Sequence, residues 1–156
     1  MNDPQIQSLL DDLKNSDATV RDRATEALWR LWFQQKGLYG WEILQQAQTL
    51  LENQQIQDAE AMLTELVGDQ PDFAEAWNRR AVLHYTQSRY RQSLHDCQKV
   101  IELNPIHFGA LHGLGLCHAM LGEYREAISA FRRALEIQPY STLNQRLLLE
   151  CTARLS

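Results

Sequence analysis

Residues 108–141 read FGALHGLGLCHAMLGEYREAISAFRRALEIQPYS, and the fold turns on them. Leu111, Leu114, Phe131 and Ala134 fall at helical spacing, and Gly115 and Ala127 are small where two helices would touch. Pro139 stops the second helix. The pattern recurs upstream at intervals of 34 residues, which brings Pro71, Pro105 and Pro139 into register. Two columns of small residues follow the same interval: Ala47, Ala81 and Gly115, then Ala59, Ser93 and Ala127. Leu63, Cys97 and Phe131 form a larger apolar column, and Leu66, Val100 and Ala134 another. Such a period describes a helix–turn–helix solenoid, in which small side chains let the helices of a unit approach closely.

The copy at 108–141, with Leu114, Gly115, His118, Gly122, Tyr124, Ala127, Phe131 and Pro139, resembles the tetratricopeptide repeat pattern W-x2-L-G-x2-Y, A-x3-F, A and P. His118 stands where that pattern has Tyr. The copy at 74–107 keeps Trp77, Ala81, Ser93, Val100 and Pro105 and departs at Arg80, His84 and Cys97. The copy at 40–73 is the most divergent, with Ile43, Gln46, Ala47, Leu50, Ala59, Leu63, Leu66 and Pro71 in the matching slots. The resemblance implies an all-α, right-handed helical-repeat solenoid of antiparallel helix pairs, with repeat units at 40–73, 74–107 and 108–141.

The flanks supply further helices. Ile6, Leu9, Leu10 and Leu13 form one apolar face, and a cap at Ser16-Asp17 starts a second helix through Val20, Ala24, Ala27, Leu28 and Leu31 that ends at Gly37. Residues 1–39 thus make an N-terminal pair that resembles a single HEAT-type repeat. Residues 142–156 form a C-terminal capping helix started by Ser141, with Leu143, Leu147, Leu148, Cys151 and Leu155 buried. Nine helices and no strand are expected, in one folded unit.

Composition narrows the function. The chain has 156 residues, a net charge of −5 and 44% hydrophobic residues, so it is globular rather than disordered. No apolar run reaches the ~18 residues of a membrane span, Met1-Asn2-Asp3-Pro4 does not open a signal peptide, and three unspaced cysteines suit a reducing cytoplasm. Cys117-His118 lacks the first thiol of a haem motif, because position 114 is Leu. His84 and His118 share a packing slot, and Cys97 and Cys117 fall in core slots. No metal or cofactor is expected. There is no phosphate loop or nucleophile elbow, and the carboxylates read as solvated helix faces, so no enzyme is expected.

Residues 40–73 carry seven acids (Glu42, Glu52, Asp58, Glu60, Glu65, Asp69 and Asp72) and no Lys or Arg. The later repeats are slightly basic, a polarity that argues against nucleic acid and for oriented docking of a protein partner. The expected function is a non-enzymatic adaptor, the alternative a homo-oligomer built through the repeats or through the aromatic segment Trp29, Trp32, Phe33, Tyr39 and Trp41. Trp29, Trp32 and Phe33 are placed on the side of their helix away from Leu28 and Leu31. They read either as a core joining the first pair to the first repeat or as an exposed patch. The resemblance implies a concave groove lined by Leu44, Gln48, Leu51, Asn78, Val82, Tyr85, His112, Leu116 and Met120. Chaperone-binding members grip a terminal carboxylate with Lys, Asn and Arg, and the matching slots here hold Leu44, Gln48, Arg79, Gly109 and Gly113. On that ground the expected ligand is an apolar or amphipathic protein segment and not a chaperone tail.

Overall fold

The computed structural model describes residues 3–155; Met1, Asn2 and Ser156, which fall in the expected terminal segments, lie outside the described residues. Among the described residues there are nine helices and no strand. α1 (Pro4–Asp12) and α2 (Ala18–Phe33) form the N-terminal pair. The repeats are α3 (Gly37–Glu52) with α4 (Ile56–Asp69), α5 (Ala74–Thr86) with α6 (Tyr90–Leu103), and α7 (Phe108–Met120) with α8 (Tyr124–Ile137). α9 (Thr142–Leu155) closes the stack. From α3 onward each helix packs on the next, as in a helical-repeat solenoid.

The turn inside each repeat sits at one position of the period. Gln54, Ser88 and Gly122 all have positive φ (64°, 59° and 76°), and only the third repeat places glycine there. A side chain in the left-handed region costs about 1–2 kcal/mol, which the flanking helix packing offsets.

The small-residue columns are buried. Ser93 uses its slot to donate a hydrogen bond across the pair to the Ala81 carbonyl at 2.7 Å. A Cβ added to Gly115 would lie 2.5 Å from the Phe131 ring, so the helices of the third repeat can approach this closely only without a side chain there. On the far side Leu147, Leu148 and Cys151 of α9 pack on Ala127, Ile128 and Phe131. Two residues of the expected α9 stripe turn outward: Leu143 and Leu155 are exposed. Asn144 takes the buried place instead, because His112 Nδ1 lies 2.6 Å from its Oδ1.

The N-terminal pair departs most from expectation. α2 ends at Phe33, and Gly37, with φ of 66°, begins α3 instead of ending α2. The pair does not join the stack as one more unit ahead of α3. α2 runs back across the repeats, with Leu13, Leu28 and Trp32 packed on Phe108 at the start of the third repeat. Trp32 is buried on the same side as Leu28, while Leu31 faces out.

Gly115→Leu is expected to lower the melting temperature by the equivalent of about 1–3 kcal/mol, the usual cost of overpacking. Gln46→Leu lies beside Ala47 but is exposed, and should change it little. Thermal denaturation of both variants checks the register; equal shifts would contradict it.

Candidate functional site

The first helices of the units, α3, α5, α7 and α9, line one face, and the expected groove residues distribute unevenly on it. Leu44 is buried against Ala47 and Leu63 and offers no surface. Asn78 is also buried, and donates to Glu75 Oε1 at 3.1 Å. Gln48 accepts from Arg79 Nη1 at 3.2 Å, which ties the first repeat to the second. Leu51 is half-buried against the first-repeat core, and Tyr85 meets Tyr90 edge-on. His112 is held by Asn144. Val82 and Met120 are open to solvent, at 49% and 53% exposure. Leu116 and Met120 share a cleft of about 640 Å³ with Tyr124, Leu147, Cys151 and Arg154. The groove is therefore apolar and open at its α7–α9 end, and knitted shut by polar contacts at its α3–α5 end.

The reading of carboxylates as solvated faces fails at two residues. Glu75, in the first turn of α5, is fully buried, and its Oε2 lies 2.8 Å from His107 Nε2. His107 Nδ1 accepts the Ala110 N–H at 3.0 Å and so caps α7. That contact leaves the ring proton on Nε2, where it is donated to the Glu75 carboxylate. Trp32 stacks on the His107 ring with centroids 4.4 Å apart, and Trp29 meets it edge-on at 5.1 Å. The aromatic segment thus splits. Phe33 and Trp41 meet at the first repeat, whereas Trp29 and Trp32 reach the third. Neither Glu75 nor His107 carried a sequence signal beyond a histidine immediately ahead of a helix start.

Asp96 is the second buried carboxylate. Arg80, in a slot where the repeat pattern has Leu, grips it with two hydrogen bonds, of 2.8 and 2.9 Å. His84 Nε2 lies 3.7 Å from the same carboxylate. Burial pushes the His84 imidazole below its ordinary pKa, against the pull of Asp96 and Glu60; Arg80 and Arg89 push the same way as burial. Cys97 and Cys117 share a buried cluster, and Cys117 together with burial pushes the Cys97 thiol well up, the opposite of what a nucleophile needs. Among the described residues no group of three or more His, Cys, Asp or Glu converges as metal ligands would. No helix among them is long and apolar enough to cross a membrane.

The tetratricopeptide repeat model matches residues 44–90 and 83–142, more than half of the chain. The chain belongs to that family. A TPR repeat-containing protein of Rhizobium etli is 35% identical over 97 residues, which cover 62% of this chain and 48% of the relative. The chain thus spans about half the length of that curated relative. Among solved structures, the first TPR of Spaghetti (RPAP3) bound to the HSP90 peptide SRMEEVD superposes with a TM-score of 0.70 at 18% identity, covering 72% of this chain and 90% of that one. The second TPR domain of human RPAP3, in complex with the HSP70 peptide SGPTIEEVD, gives 0.67 at 18%, covering 70% and 92%. These likenesses establish the fold.

They also overturn the exclusion of chaperone tails as ligands. Folds that superpose on this one hold such peptides, so a slot-by-slot mismatch does not remove the ligand class. The flaw is physical. The expectation judged the ligand from residue types at five slots, Arg79 among them, and residue type at a slot does not say which side chains reach the face or what holds them, as Gln48 holds Arg79.

The His84 shift gives a pH test. The unfolded chain takes up a proton on His84 as pH falls through 6.5, and the folded chain resists it, so the folded state loses ground below that pH. The urea midpoint should fall between about pH 7.5 and about pH 5.5, and fall less in His84→Gln. An identical pH dependence in both would contradict the assignment.

Proposed function

We propose that the chain is a non-enzymatic adaptor that holds a segment of another protein along the face of α3, α5, α7 and α9. The carrying observation is the open apolar cleft at Leu116 and Met120, continuous with α9. An exposed methionine beside leucines adapts its shape to varied apolar side chains at little cost. The structural neighbours that hold HSP90 and HSP70 peptides support the adaptor reading, and place acidic C-terminal tails among the ligands to try. The acidic first repeat orients the bound segment: of its carboxylates, Glu60 is paired with Arg89 and Asp72 with Lys36, while Glu42, Glu52, Asp58, Glu65 and Asp69 remain exposed.

The test uses fluorescence anisotropy with two labelled probes, the peptide SRMEEVD and an amphipathic helical peptide, against wild type and Leu116→Asp/Met120→Asp. Wild type is expected to bind at least one probe, and the double variant to bind it at least tenfold more weakly with its helical circular dichroism unchanged. A folded double variant that binds equally well would contradict the site. Sedimentation velocity on the wild type separates this reading from self-association, for which exposed Leu143, Leu149 and Leu155 on α9 are the supporting surface.

A further inference from the structure

α2 lies against the loop-side edge of the face that the repeats present. It runs opposite to their order. Arg21, near its start, sits over the Tyr140 ring at the α8–α9 junction, 4.1 Å from the centroid. Trp29 rests on Gly109, the second residue of α7, where an added Cβ would lie 2.6 Å from the indole. Trp32 stacks on His107, and the Phe33 ring lies under the Arg79 guanidinium of α5 at 4.7 Å. Just beyond α2, Lys36 is ion-paired with Asp72 and pulls that carboxyl below its ordinary range.

Two features make this seam unlike the contacts between repeats. Among the described residues, no hydrogen bond joins residues 18–33 to α4–α9; ring contact and apolar burial hold the helix itself, and the polar contacts belong to the tether, where Gln35 and Lys36 meet Asp72. The tether is short, Gln34 to Lys36, and ends at Gly37, whose positive φ has open space around it. Gly109, His107 and Arg79 therefore form a cradle shaped for aromatic side chains on one helix face, and Trp29, Trp32 and Phe33 fill it at i, i+3 and i+4.

We propose that this cradle is a helix-docking site, that α2 is its resident ligand, and that a partner helix bearing aromatic residues at the same spacing takes the place of α2. The partner step rests on the adaptor reading; the docking of α2 does not. A tethered ligand acts at millimolar effective concentration, so an incoming helix meets the site only in the fraction of molecules from which α2 has lifted.

The probe is a fluorescein-labelled peptide of residues 17–36 of this chain. Against the full chain carrying Trp29→Ala and Trp32→Ala, which frees the cradle without altering it, the peptide is expected to bind at least tenfold more tightly than against wild type. Adding Gly109→Leu to that variant fills the cradle and should abolish binding. A variant that melts cooperatively yet fails to bind, binding equal to wild type, or binding that survives Gly109→Leu would each overturn the proposal. Should the double variant not fold, hydrogen exchange on the wild type decides: α2 amides exchanging ahead of those in α5 to α8 support a detachable helix, and α2 exchanging together with them overturns it. Because the peptide is the chain's own, these outcomes are independent of whether the Leu116–Met120 cleft binds anything.

Discussion

One imidazole holds three parts of the molecule together. His107 caps α7 through Nδ1, donates Nε2–H to Glu75 on α5, and gives its ring face to Trp32 on α2. Each contact supports the others. The cap leaves the proton on Nε2, that proton partners a carboxylate buried without direct access to water, and the carboxylate would be costly to bury unpaired. Trp32 seals the group from above. Removing His107 or Glu75 leaves a polar group stranded in an apolar setting, so the pair ties α5 to the start of α7, and Trp32 couples the N-terminal pair to that join by ring contact.

The solenoid beneath depends on a different constraint, the close approach of paired helices at Ala47, Ala81 and Gly115. That constraint repeats with the period, which is why helix number, pairing and the three repeats were legible in the sequence. At Gly115 even a Cβ would lie 2.5 Å from the Phe131 ring. What was not legible is what breaks the period. The pattern of α2 shows which residues are apolar but not which surface they meet, and a solenoid reading placed them against the first repeat. Glu75 and His107 belong to one repeat but bond across to α7, so neither stands out by local spacing. Arg80 takes the place of Leu and is satisfied by Asp96, a pairing visible only once both are known to face inward.

The same reasoning separates the two surfaces. The Leu116–Met120 cleft is open and apolar because α9 covers α7 only in part, leaving Met120 and Leu155 in water. The loop-side edge is closed because α2 lies on it. Leu44 and Asn78, expected in the groove, went instead to core packing and to the Glu75 network. At the α3–α5 end the slot residues Gln48 and Arg79 bond to each other, which their residue types alone do not foretell, and so the ligand class is a question of geometry.

The central claim is that His107 couples the N-terminal pair to the repeats, and a double-mutant cycle tests it most directly. Trp32→Ala, His107→Ala and the combined variant would be compared with wild type by urea denaturation. A stacked pair of rings in contact should give a coupling free energy of about 0.5–1.5 kcal/mol. Additivity within about 0.3 kcal/mol would show that the two side chains do not meet, and would contradict the account.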